Sequence, residues 1–234
     1  MLRKTVASLV AVLVVGAAAS ARAQVSQSVS LNVGYFALRA VDARPADDVL
    51  VQNLNVYAFR LSDFNGAWIG GDYLVGIGDF IDAGVGVGYH RRTAPSVYLS
   101  FVNADGSEIA QDLKLSVMPL TFTVRFLPLG RHAPIQPYVG AGVAAYKWRY
   151  SESGQFVDFN DNNNIFRNSY VDKGTKVGPV YLGGVRIPVG DVFAFGGEFQ
   201  YQKAEADLNP DLGYAGTKID LGGYVSQFTF QVRF

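Results

Sequence analysis

Six charged residues stand alone among small or apolar neighbours: Asp72, Asp82, Arg125, Arg186, Glu198 and Arg233. Isolated charges in such settings have two chemical uses. Acids and bases can pair with one another and fill a narrow interior, or they can ring a small pore and select what passes through it. Histidine is scarce, with only His90 and His132 in the chain. A general base needs a partner within hydrogen-bond reach. Ser96 and Ser100 are the serines to consider for His90, but spacing alone does not join them. His90 is read as a histidine at the rim of the fold, and no catalytic residue is assigned.

Two motif matches fail on their own terms. Asp158, Asn160, Asp161 and Asn162 resemble a calcium loop, but Asn163 replaces the required glycine and Ser169 stands where a bidentate glutamate belongs. They are read as a solvated polar loop, with no metal site. Gly140-Ala141-Gly142-Val143-Ala144-Ala145 fits a dinucleotide fingerprint in letters only. A helix should follow it, and Tyr146-Lys147-Trp148-Arg149-Tyr150 has the alternation of a strand instead. No cofactor is expected. The absence of cysteine excludes disulfides, thiol catalysis and cysteine-ligated metals.

The elements that must position these charges are strands. Apolar and polar residues alternate over 28–35, 67–77, 81–90, 113–126, 138–150, 177–187, 193–202 and 219–234, which gives eight strands with two unlike faces. One face is apolar and aromatic. The other is small and sparsely charged, with glycine and the six isolated charges, whereas the wet face of a soluble sandwich would be dominated by Lys and Glu. Within 113–126 the apolar phase shifts from Leu113, Leu115 and Val117 to Leu120, Phe122, Val124 and Phe126, which predicts a bulge near Met118-Pro119. In 138–150, Lys147 and Arg149 should avoid lipid. Tyr146, Trp148 and Tyr150 are therefore expected to form an outward rim, with Val139, Ala141 and Val143 inside.

Connections alternate in length. Residues 78–80, 127–135 and 188–192 are short; 37–66, 91–112, 151–176 and 203–218 are long. Residues 96–112 could extend the third and fourth strands, with Asn103-Ala104-Asp105-Gly106 at the hairpin tip. Residues 47–61 are apolar for a loop and suit a short helix or a fold over the barrel mouth.

Residues 1–23 read as a secretory signal: Arg3 and Lys4, an apolar run from Val6 to Ala19, then Ala21-Arg22-Ala23 as the cleavage site. Residues 24–234 then form one domain. Its 17 basic and 20 acidic groups, counted without Arg3, Lys4 and Arg22, argue against a nucleic-acid partner. Beyond the signal no apolar stretch is long enough for a spanning helix. The expected fold is therefore all-β: an eight-stranded, up-and-down antiparallel transmembrane barrel with short turns toward the periplasm. It must be closed because no unpaired edge can sit in lipid.

Signal, eight amphipathic strands, Pro137-Tyr138-Val139-Gly140-Ala141-Gly142 opening a strand, and terminal Phe234 together resemble the OmpA/OmpW-like outer-membrane β-barrel proteins of Gram-negative cell envelopes. The resemblance implies that Phe228, Phe230, Val232 and Phe234 form the signal read by the barrel-insertion machinery. It also implies residence in the outer membrane among lipid and lipopolysaccharide, escort by periplasmic chaperones, and a monomeric state. The function expected first is non-enzymatic: structural, adhesive or recognition work through the long extracellular loops 37–66 and 151–176. The alternatives are a narrow channel or hydrophobic-solute transporter and, further off, a lipid-modifying enzyme.

Overall fold

The computed structural model describes residues 26–159 and 161–234. The signal segment and Asn160 lie outside them. Eight long strands run in chain order: β1 (Gln27–Leu38), β2 (Gly66–Ile77), β3 (Ile81–Val102), β4 (Glu108–Phe126), β5 (Gln136–Asp158), β6 (Asn164–Val189), β7 (Phe193–Gln202) and β8 (Gly223–Arg233). Each pairs antiparallel with its neighbour, and β8 pairs with β1, so the sheet closes on itself. The seam is complete to the last residue: the Phe234 amide donates to the Gln27 carbonyl (2.9 Å) and the Gln27 amide to the Phe234 carbonyl (3.1 Å). Closure leaves no exposed ladder in the spanning zone, the condition for strands in lipid.

Outward residues of the lower barrel are apolar and exposed, among them Leu31, Ile69, Val87, Phe122, Tyr181 and Phe228. On β3 this belt runs from Ile81 to Tyr89, about 27 Å along the strand at about 3.4 Å per residue. At the tilt usual for such barrels that is roughly 20 Å of height, close to the apolar band of an outer membrane.

The strands do not stop at the belt. β5 and β6 continue as a hairpin to Asp158 and Asn164, and β3 and β4 extend to Val102 and Glu108, with the Asn103–Ser107 turn at the expected tip. Residues 91–112 and 151–176, expected as long loops, are therefore mostly strand. The eighth strand begins at Gly223; Ile219 belongs instead to a short strand, Lys218–Asp220, paired with Glu205–Asp207.

Above the belt the two faces exchange chemistry. The inside becomes apolar: Phe36, Leu50, Phe64, Leu113, Tyr146 and Tyr150 are among a large cluster of buried residues there. The outside becomes polar. This inversion corrects two expectations. No bulge occurs at Met118-Pro119, because the β3–β4 pairing keeps one register from Val97↔Ala110 to Ile81↔Phe126. Leu113, Leu115 and Val117 point inward into the dome, and Leu120 and Phe122 point outward into lipid. On β5, Tyr146, Trp148 and Tyr150 are likewise inside, while Val139, Ala141 and Val143 face out. Lys147 and Arg149 avoid lipid by sitting above it.

Candidate functional site

The bore is occupied at belt height by side chains from opposite walls. Arg125 on β4 reaches Glu198 on β7 (3.1 Å) and Asp72 on β2 (3.4 Å). Arg186 on β6 reaches Asp82 on β3 (3.1 Å). Glu198 also accepts from Tyr138 (2.9 Å), Gln200 (2.6 Å) and Gln227 (2.8 Å), and Asp72 from Asn32 (2.7 Å) and Ser30 (3.2 Å). Gln136 and Gln231 hold Arg186. Carboxylates removed from water need such saturation of their lone pairs. An eight-stranded interior is just wide enough for side chains, and these salt bridges cross it like bars. Glycines opposite the long side chains provide the clearance. A Cβ on Gly184 would stand 2.6 Å from the Tyr138 hydroxyl, and one on Gly76 would collide with the Arg131 guanidinium.

Five of the six isolated charges make salt bridges in the bore. Arg233 does not: it lies at the last position of β8, and its guanidinium donates to the Gly190 carbonyl in the β6–β7 turn (2.7 Å). The missing cation comes from Arg131 in the β4–β5 turn, which folds up into the bore and pairs with Asp82 (2.8 Å) while donating to the Gly78 and Ile81 carbonyls. With it the network has three carboxylates and three guanidinium groups. Above the network, a cavity of about 10 Å³ lies among Asn32, Trp68, Asp72 and Gln227, about the space one water needs.

The mouth is closed by chain that sequence alone marked as loop. Helix α1 (Val49–Asn53) is capped by Asp48, whose carboxylate accepts from the Leu50 amide (2.9 Å). The same carboxylate binds buried Arg44 (3.0 Å) and the Asp220 amide (2.6 Å), and Asp220 pairs with Arg39, so segment 39–65 is latched to segment 203–222. Asn53, at the end of α1, donates to Glu152 (2.7 Å), as does Tyr150 (2.8 Å). Glu152 is buried in the dome and makes no ion pair among the described residues. Burial holds its carboxyl above the ordinary range, partly offset by those two donors. Nothing in the sequence singled it out, because inward parity at 152 has meaning only once the dome is known to exist.

His90 is not at a rim. It is fully buried and inward, with Nδ1 3.0 Å from the Ala67 carbonyl and Nε2 2.9 Å from the Phe64 carbonyl. His132 lies exposed in the β4–β5 turn, 3.4 Å from Asp79. Gly140 and Gly142 lie in the continuous strand β5, not in a nucleotide loop. Asp161, Asn162 and Asn163 form the β5–β6 turn, where both asparagines take positive φ (47° and 59°). Ser169 is on β6 opposite Ser153, and no cluster of metal-ligating residues occurs among the described residues. Phe228 and Phe230 lie on the outer face, where Phe230 packs with Phe193 and Phe195 at centroid distances of 5.8 and 5.2 Å.

A closed antiparallel barrel, apolar outside and ion-paired inside at belt height, defines a transmembrane β-barrel of the outer-membrane kind. One solved structure bears this out at the level of fold. The outer membrane protein OprG of Pseudomonas aeruginosa superposes with a TM-score of 0.52 at 14% identity, over 90% of this chain and 96% of that one. Ail of Yersinia pestis, solved with the heparin analogue sucrose octasulfate, gives 0.44 at 12% identity over 90% and 99%. Neisserial surface protein A gives 0.44 at 12% identity over 89% and 95%. No protein-family model matches the chain, and no curated protein matches it in sequence. Fold and belt together make it an outer-membrane β-barrel protein.

Proposed function

We propose that this is a non-conducting, non-enzymatic barrel that holds a rigid β-structured platform outside the membrane for structural, adhesive or recognition contacts. The observation that carries this reading is the doubly sealed bore beneath protruding hairpins: salt bridges cross it at belt height, and an apolar dome closes it above. The contact surface then consists of the β3–β4 and β5–β6 tips, where Leu99, Val102 and Phe159 are exposed outside the belt, rather than of free loops at 37–66 and 203–218. His90 is fully buried, with backbone carbonyls and no serine hydroxyl beside its ring nitrogens among the described residues, which supports the non-enzymatic part. The same reading has residues 1–23 removed on export and residues 24–234 delivered by periplasmic chaperones. Phe228, Phe230, Val232 and Phe234 serve as the insertion signal, and the barrel works as a monomer. Planar-bilayer conductance of the purified protein, with liposome swelling, tests the sealed bore. Silence is expected; solute-dependent flux altered by Glu198→Gln or Arg186→Gln would establish transport instead. An altered lipid A pattern on expression that His90→Ala abolishes would establish an enzyme.

A further inference from the structure

The outer face of β3–β6 changes abruptly where it leaves the belt. Val87, Leu120, Ala145 and Val177 lie side by side in the pairing register and are apolar. The next outward row is Met118, Lys147 and Thr175, beside Tyr89. The row beyond is Arg91, Ser116, Arg149 and Lys173, and the one after that brings Lys114 next to Ser151. Five cations thus stand within three rows, immediately above an apolar surface. A depression of about 400 Å³ lies among three of them, walled by Tyr89, Arg91, Lys114, Ser116, Arg149 and Ser151.

None of the five makes an ion pair among the described residues, whereas Lys176 and Lys218 find Asp207 (3.4 Å) and Asp47 (3.5 Å). Asp112 shares the outer face with Lys114 but lies one outward position farther from the belt. Arg149 faces Lys173 directly across the β5–β6 ladder. Like charges directly opposite destabilise a sheet, so the arrangement calls for an anion. The anion must sit at the level of lipid headgroups, with its apolar part against Tyr89, Met118 and Leu120. Guanidinium and ammonium groups together suit a multiply charged phosphate.

We propose that Arg91, Lys114, Lys147, Arg149 and Lys173 form a docking site for the phosphate groups of a phosphorylated glycolipid in the outer leaflet. The inference rests on the barrel's orientation, short turns toward the periplasm, and not on the recognition role proposed above. Failure of the conductance test therefore leaves it standing. The test uses the full barrel in nanodiscs of zwitterionic lipid, titrated with bisphosphorylated lipid A, with its dephosphorylated form, and with inorganic phosphate. Binding of the bisphosphorylated lipid is expected to weaken at least tenfold in the Lys114→Gln/Arg149→Gln/Lys173→Gln variant and to stay unchanged in Lys218→Gln. All five side chains lie on the outer surface, and heat-modifiable mobility verifies that the variant is folded. Equal binding by wild type and triple variant would overturn the proposal. So would equal affinity for the dephosphorylated lipid, or inorganic phosphate competing at the lipid's own concentration, which would mark a soluble-anion site.

Discussion

Replacing Arg125 with methionine removes the cation between Asp72 and Glu198 while keeping much of the side-chain volume. Glu198 is buried and Asp72 nearly so, with side-chain exposures of 0% and 10%. Deleting one partner of a buried pair costs about 3–5 kcal/mol because the survivor is left charged in a poor solvent. Here each survivor keeps neutral donors, Asn32 and Ser30 on Asp72, and Tyr138, Gln200 and Gln227 on Glu198. The expected loss is therefore near the lower limit, about 3 kcal/mol, or roughly a hundredfold in the folding equilibrium. Reversible urea unfolding in lipid vesicles, followed by tryptophan fluorescence and by heat-modifiable mobility, measures it. The variant Asp72→Asn/Arg125→Met/Glu198→Gln removes the three charges together and should recover most of the loss, since a neutral hydrogen-bonded interior carries no desolvated charge. If Arg125→Met lies within about 0.5 kcal/mol of wild type, an ordinary surface-substitution effect, the ion pairs do not organise the bore. They then do not seal it either.

Three further outcomes are expected. Glu152 holds its proton more tightly in the folded dome than in the unfolded chain. The cap's stability is thus fully present below the ordinary glutamate value of about 4.5 and declines as pH rises through the raised folded value; hydrogen-exchange protection of residues 49–53, relative to the intrinsic rate at each pH, should fall over that interval in wild type and not in Glu152→Gln. Phe230→Arg places a charge on the lipid face and should destabilise the barrel by about 2–4 kcal/mol if the site is near the midplane, read from the same urea titration. Deleting Phe234 removes the last pair of seam hydrogen bonds and the aromatic end, and should lower outer-membrane assembly while export and signal cleavage continue; normal levels of heat-modifiable barrel would refute the insertion-signal role.

The strands were legible because alternation is a local property, and so was the spanning barrel, because its outer face is apolar over eight strands. What alternation does not carry is which side is wet. In β4 the apolar residues change parity at Met118-Pro119, and a bulge would account for that if one face stayed in one solvent throughout. The strand is in fact straight in register, and it is the solvent that changes. Below Met118 lipid lies outside and paired charges lie inside; above Val117 water lies outside and a largely apolar dome lies inside. The same exchange explains why Tyr146, Trp148 and Tyr150 face inward, and why Lys147 and Arg149 can be outward without touching lipid. The substitution of Arg131 for Arg233 in the bore has a related cause. Parity fixes where a Cβ points, but at a strand end a long arginine side chain can run several ångströms along the axis. Arg233 therefore reaches down to a turn carbonyl while Arg131 reaches up from a turn to Asp82. A phase break in an amphipathic strand of this length is accordingly a reading of the membrane boundary, and in β3–β6 it marks the level at which the five outward cations begin.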